Sequence, residues 1–149
     1  MRIASTAAVA ACLGLLLAAA APADRPPAAV ERAAFARLRG AGADDTALAA
    51  AGLFRPAGGG WIVDYGVAAP PRLCGTGGCP LQVWAPVRSG RLRVVFDRQV
   101  LGWSMTDAPA GLVVDLHGVH CGGTGSDACR RALVWRGGRL VAAPAPAAP

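Results

Sequence analysis

Asp115, His117, His120 and Cys121 are the residues whose types and spacing come nearest to chemistry. His-x-x-His-Cys supplies zinc-type ligands. On an extended strand, however, positions 117 and 120 point to opposite faces unless Gly118 bulges the chain. A cysteine held in a disulfide also offers no thiolate to a metal. No metal is therefore expected. Asp115 and His117 share one strand face and could form the carboxylate–imidazole pair of a small hydrolase. No third member can be named, because Ser89, Ser104 and Ser126 all lie outside a G-x-S-x-G elbow. The 15 basic residues are all arginine. The absence of lysine excludes a Schiff-base mechanism and a P-loop phosphate cradle. The expectation is a non-enzyme without a cofactor.

The arginines gather in two places. Arg130, Arg131, Arg136 and Arg139 fall in the last hairpin-like stretch and are the candidate anion-binding residues. Arg88, Arg91 and Arg93 form an earlier group. Such patches fit anionic glycans or lipid head groups. The plainer reading is the solvated face of two hairpins in a lysine-free protein.

The first 23 residues read as an export signal. Arg2 is followed by an uncharged apolar stretch, Ile3 to Ala21, and Ala21-Pro22-Ala23 fits the small-x-small cleavage rule. Cleavage before Asp24 would leave 14 arginines against 9 acidic residues, a net charge of 14 − 9 = +5, and four cysteines. No stable membrane anchor is then expected, and the location is periplasmic or secreted. An even cysteine count in a small exported domain reads as two disulfides. Glycines fill both inter-cysteine segments and permit tight closure, so Cys74–Cys79 and Cys121–Cys129 are the expected pairs. The partners expected from charge and location are an anionic envelope component or an exported protein, and not nucleic acid.

These residues must be positioned by the elements around them. Val30, Ala34 and Leu38 recur at helical spacing, predicting a helix over about 27 to 39 closed by Gly40. Asp44 or Asp45 can cap a second, shorter helix that ends at Gly52. From Trp61 the period becomes two. Trp61, Val63 and Tyr65 oppose Ile62 and Asp64. Leu81, Val83, Ala85 and Val87 oppose Gln82, with Pro86 marking an edge or an end. Leu92, Val94 and Phe96 are expected on one face. Weaker or shorter strands follow at Val100 to Met105, Leu112 to His117, Leu133 to Trp135 and Leu140-Val141, with Gly137-Gly138 as a two-residue turn. The fold class expected is α+β: two short N-terminal helices, then a disulfide-braced antiparallel meander of five or six strands. The predicted organisation is a signal peptide over 1–23, one domain over 24–141 and a disordered Ala/Pro tail over 142–149. Residues 74 to 95 and 121 to 141 repeat one order: Cys, Gly-rich loop, Cys, strand ending in Val-Trp, Gly-containing turn, Arg-Leu.

At Cys74-Gly-Thr-Gly-Gly-Cys79, followed by Pro-Leu-Gln-Val-Trp, the chain resembles small exported bacterial proteins of unassigned function. In those proteins a Cys-Gly-x-Gly-Gly-Cys loop leads into a strand and a Trp-x-Gly hairpin follows, here Trp135-Arg136-Gly137. The resemblance implies export and disulfide bracing and carries over no catalytic residue. The function expected is non-catalytic binding or envelope support. The alternative is inhibition of an envelope-degrading hydrolase such as lysozyme, although a basic inhibitor matches a basic lysozyme poorly.

Overall fold

The computed structural model describes residues 25–50, 52–70, 72–107, 110–124 and 127–144. The expected signal peptide therefore lies outside the described residues, as does the tail from 145. Helix α1, Ala28–Gly40, follows Pro27. It buries Val30, Ala34 and Leu38, one residue per turn, as the spacing predicts. The second predicted helix is a single turn, α2, Asp45–Leu48, whose Ala47 amide donates to the Asp44 side chain. Among the described residues there is therefore one helix of substance rather than two. The local reason is that α2 stops four residues before Gly52, and only Leu48 offers it an apolar anchor.

Among the described residues eight strands follow: β1 (Phe54–Ala57), β2 (Gly60–Asp64), β3 (Cys79–Pro86), β4 (Leu92–Val100), β5 (Gly102–Asp107), β6 (Ala110–His117), β7 (Ala128–Arg136) and β8 (Arg139–Ala142). They make two antiparallel four-stranded sheets, β1-β2-β3-β4 and β5-β6-β7-β8, rather than one meander of five or six strands. The reason for two layers lies in β2 and β3, which are apolar on both faces. Trp61, Val63 and Tyr65 pack with Val30, Ala34, Leu38 and Leu48 under the helices. Ile62, Leu81 and Val83 pack with Leu112 and Val114 of the second sheet. The first sheet is thus the central layer, with helices on one face and the outer sheet on the other. Only two sandwiching layers bury such a two-faced sheet.

Several local expectations change. Residues 54 to 64, which precede and include the first predicted strand, form a hairpin, because Gly58-Gly59 turns β1 onto β2. Proline is tolerated in β1 because β1 is an edge strand. Pro86 ends β3, which lies inside the sheet rather than at its edge. Leu92, Val94 and Phe96 do not share a face. Trp84 pairs with Val94 but Val83 pairs with Phe96, so Val95 is an extra residue in a bulge. The bulge sends Leu92 toward the helix side and Phe96 toward the outer sheet. Ala142 belongs to β8 opposite Leu133 rather than to the tail, and Ala143 still donates its amide to the Ala132 carbonyl. In both sheets the third strand, β3 or β7, starts beside a bridged loop, Cys74–Cys79 or Cys121–Cys129.

Candidate functional site

Three hairpin tips meet at the end of the sandwich away from the disulfides. The β1–β2 tip is Gly58-Gly59, with φ of 56° and 77°. The β7–β8 tip is Gly137-Gly138, with φ of 55° and 73°. Two left-handed residues in a two-residue loop match the twist of antiparallel strands, and glycine adopts them without strain. The third tip joins Pro86 to Leu92. It is closed by the Val87 amide donating to the Arg91 carbonyl and the Gly90 amide donating to the Val87 carbonyl, both at 2.8 Å. The tips touch. Gly58 sits against the Trp135 ring, where a side chain on residue 58 would overlap the indole. A side chain on Gly138 would come within 3.1 Å of the Pro86 carbonyl oxygen.

Between the second and third tips lies a cleft of about 620 Å³ lined by Pro86, Val87, Arg88, Ser89, Arg93, Gly137, Gly138 and Arg139. Three of the eight are arginines and none is acidic. A groove of about 500 Å³ beside the helices has the opposite character. Arg25 and Arg39 share its walls with Glu31 and Asp45 over a floor of Phe35, Leu48, Leu53 and Phe54. The tip cleft is therefore the place where one sign of charge is concentrated. Guanidinium groups suit it to phosphate, sulfate or carboxylate, which they bind through paired N–H donors.

The candidate anion-binding residues named from sequence do not act together. Arg130 is committed to Asp115, its partner across the β6–β7 ladder, with Nε donating to Oδ1 at 2.9 Å. This bond holds the Asp115 carboxyl below its ordinary value. Arg131 lies opposite Val114 and is exposed. Arg136 faces Arg139 directly across the last ladder pair. Only Arg139 enters the cleft, where it joins Arg88 and Arg93 of the earlier group. Arg91 is exposed and outside its lining. Sequence treated the two arginine groups as separate hairpins. The signal that could have joined them is the Gly-containing turn that each carries.

Asp115 and His117 share a strand face as expected, but the carboxylate bonds to Arg130. His120 lies in a single 3-10 turn, Gly118–Cys121, and is exposed. Cys121 is bridged to Cys129, and Cys74 to Cys79. Among the described residues no three His, Cys, Asp or Glu side chains converge.

Sequence reasoning missed a polar cluster beneath α1. Gln82 sits in the middle of β3 on the helix face and is almost buried, at 9% exposure. Tyr65 donates its hydroxyl to Gln82 Oε1 at 3.0 Å, and Trp84 Nε1 donates to the same oxygen at 3.2 Å. Gln82 Nε2 donates to Asp97 at 2.8 Å, and Arg37 of α1 donates to both Asp97 oxygens at 2.9 Å. The Arg37 guanidinium also stands 4.9 Å from the Tyr65 ring centre. Burial pushes the Tyr65 hydroxyl above its ordinary pKa, Asp97 adds to the shift, and Arg37 opposes it. The cluster fixes the helix to the central sheet and leaves every buried polar side chain among the described residues with a partner. On the other side of the sheet, Trp103 Nε1 donates to Asp64 at 2.8 Å, with Arg55 over the indole at 5.5 Å.

No protein-family model matches this chain, and neither curated proteins nor solved structures hold a significant match to it.

Proposed function

We propose that the protein is an exported, non-catalytic binding module that takes an anionic group into the cleft between its hairpin tips. One observation carries this reading: Arg88, Arg93 and Arg139, from two different hairpins, line one cleft without an acidic residue. Among the described residues the two ion pairs are Arg37–Asp97 and Arg130–Asp115, and neither engages an arginine of the cleft. Two disulfides suit an oxidising compartment outside the cytoplasm. The shared order of the two sheets, with a bridged loop before each third strand, supports the reading of residues 74 to 95 and 121 to 141 as a repeated strand–hairpin unit.

Calorimetric titration with inorganic phosphate tests the site. Wild-type protein should bind, and Arg88→Ala and Arg139→Ala should each weaken binding about tenfold, the usual worth of one charge-assisted hydrogen bond. Wild-type affinity that survives both substitutions would rule the cleft out. Export is tested separately. Protein recovered from the periplasm of an expressing bacterium should have an intact mass that begins at Asp24, and a mass retaining Met1 would contradict cleavage.

A further inference from the structure

The path of β4 extends the basic surface beyond the cleft. β4 starts opposite Pro86, whose carbonyl adjoins Gly138 at the β7–β8 tip. It ends at Val100, and the next amide, Leu101, donates to the Asp115 carbonyl of β6 at 2.7 Å. β4 is the free edge of the central sheet, and it therefore crosses the outer sheet diagonally from β8 toward β6. The start of β7 is open, with Ala128, Arg130, Arg131 and Ala132 all exposed.

The ladder registers place arginines along this seam. Arg93 pairs with Ala85, Phe96 with Val83 and Arg98 with Leu81, so all three are directed at the outer sheet. Arg131 pairs with Val114, whose side chain is in the sandwich core, so Arg131 is directed at the central sheet. A residue turned inward by register should be buried. Arg93, Arg98 and Arg131 are instead all exposed. They line the place where the two sheets part, with the half-buried Phe96 between Arg93 and Arg98 as an apolar floor. Among the described residues the two ion pairs are Arg37–Asp97 and Arg130–Asp115, and neither uses these arginines. With the bulge, Arg93 and Arg98 stand opposite Ala85 and Leu81, four ladder positions apart, a span of about 13 Å at about 3.3 Å per residue.

We infer that the ligand is a linear polyanion with a charge on each repeat, seated with one end in the tip cleft and its length along the β4–β7 seam. This rests on the anion-binding reading of the cleft and specifies its substrate class. A narrow track between two sheets follows a chain, whereas a membrane surface would be met by a broad basic face.

The test titrates the full mature chain with inorganic phosphate and with polyphosphates of increasing length, and in parallel with oligouronates of matched length. The paired series show whether phosphate or carboxylate is preferred, and a length dependence in either supports the inference. Affinity should rise with length until the seam is spanned. Arg98→Ala and Arg131→Ala should each lower affinity for the long polymer about three- to tenfold and leave inorganic phosphate unchanged. Arg32→Ala, on the exposed side of α1, removes the same charge elsewhere and should change neither. Equal losses from Arg32→Ala and Arg98→Ala would overturn the seam, since they would reduce it to net charge. Phosphate binding without length dependence would overturn the seam and keep the cleft. Absence of any phosphate or uronate binding would overturn both. Binding to anionic phospholipid vesicles with no response to the soluble polymers would also overturn it.

Discussion

Replacing Gln82 by Leu should destabilise the protein through the two donors it leaves behind. Leucine fills similar volume and keeps the apolar contacts of β3, so the cost is mainly polar. The Tyr65 hydroxyl, in a residue at 0% exposure, would lose its acceptor. A buried orphaned donor costs about 1–3 kcal/mol. Trp84 Nε1 loses the same acceptor but is half-buried and can reach water, so its share is smaller. Asp97 keeps Arg37, whose Nη1 donates to both of its oxygens. The sum is about 2–4 kcal/mol. Tyr65→Phe removes the donor together with its need and should cost about 1 kcal/mol. The two changes touch one bond, so Gln82→Leu should cost about 1 kcal/mol less in the Tyr65→Phe background than in wild type. Urea denaturation of the four proteins measures this cycle. Costs that add to within about 0.5 kcal/mol would refute the coupling of Tyr65 to Gln82 through this bond.

Three further outcomes follow from the same geometry. Trypsin without reduction should release Leu73 to Arg88 and Gln99 to Arg130 as separate peptides, each internally bridged; finding them joined to each other would contradict the pairing. Reduction should cost about 2 kcal/mol for the shorter loop and about 2.5 kcal/mol for the longer. Tyr65 is the only tyrosine, so absorbance at 295 nm should show it ionising above its ordinary value of 10.0 in the folded protein. Its preference for the neutral form stabilises the fold fully below the unfolded value, and that contribution falls as pH rises toward the raised folded value. Gly58→Ala should lower the melting temperature and perturb tryptophan fluorescence, because the added methyl would overlap Trp135 and the φ of 56° disfavours alanine.

The periodic parts of the fold were legible in the sequence. Val30, Ala34 and Leu38 gave the helix face, and Trp61 to Asp64 gave both faces of β2, because each pattern reports burial directly. The bulge at Val95 was not legible, since alternation through Leu92, Val94 and Phe96 reads the same with or without an extra residue. β1 was hidden because Pro56 is tolerated only when the strand is known to be an edge. The two-sheet arrangement depended on a one-residue corner at Leu101, which has no composition signal. At the candidate site, Arg139 was identified but Arg88 and Arg93 were assigned to a different surface. Their union is set by the sandwich bringing separate tips together, a long-range consequence of packing. Gln82 was seen on the correct face, yet the partners that make it important, Tyr65, Trp84 and Asp97, come from three places in the chain.

The most direct measurement is an amide-resolved NMR titration of the chain from Asp24 to Pro149 with inorganic phosphate. Saturable shifts should concentrate at the amides of Val87 to Gly90 and of Gly137, Gly138 and Arg139, and Arg139→Ala should move their midpoint to about tenfold higher phosphate while the rest of the spectrum stays unchanged. Shifts centred on the helix groove or on the Arg130–Asp115 pair, or no saturable shift at either tip, would contradict an anion site between the hairpins.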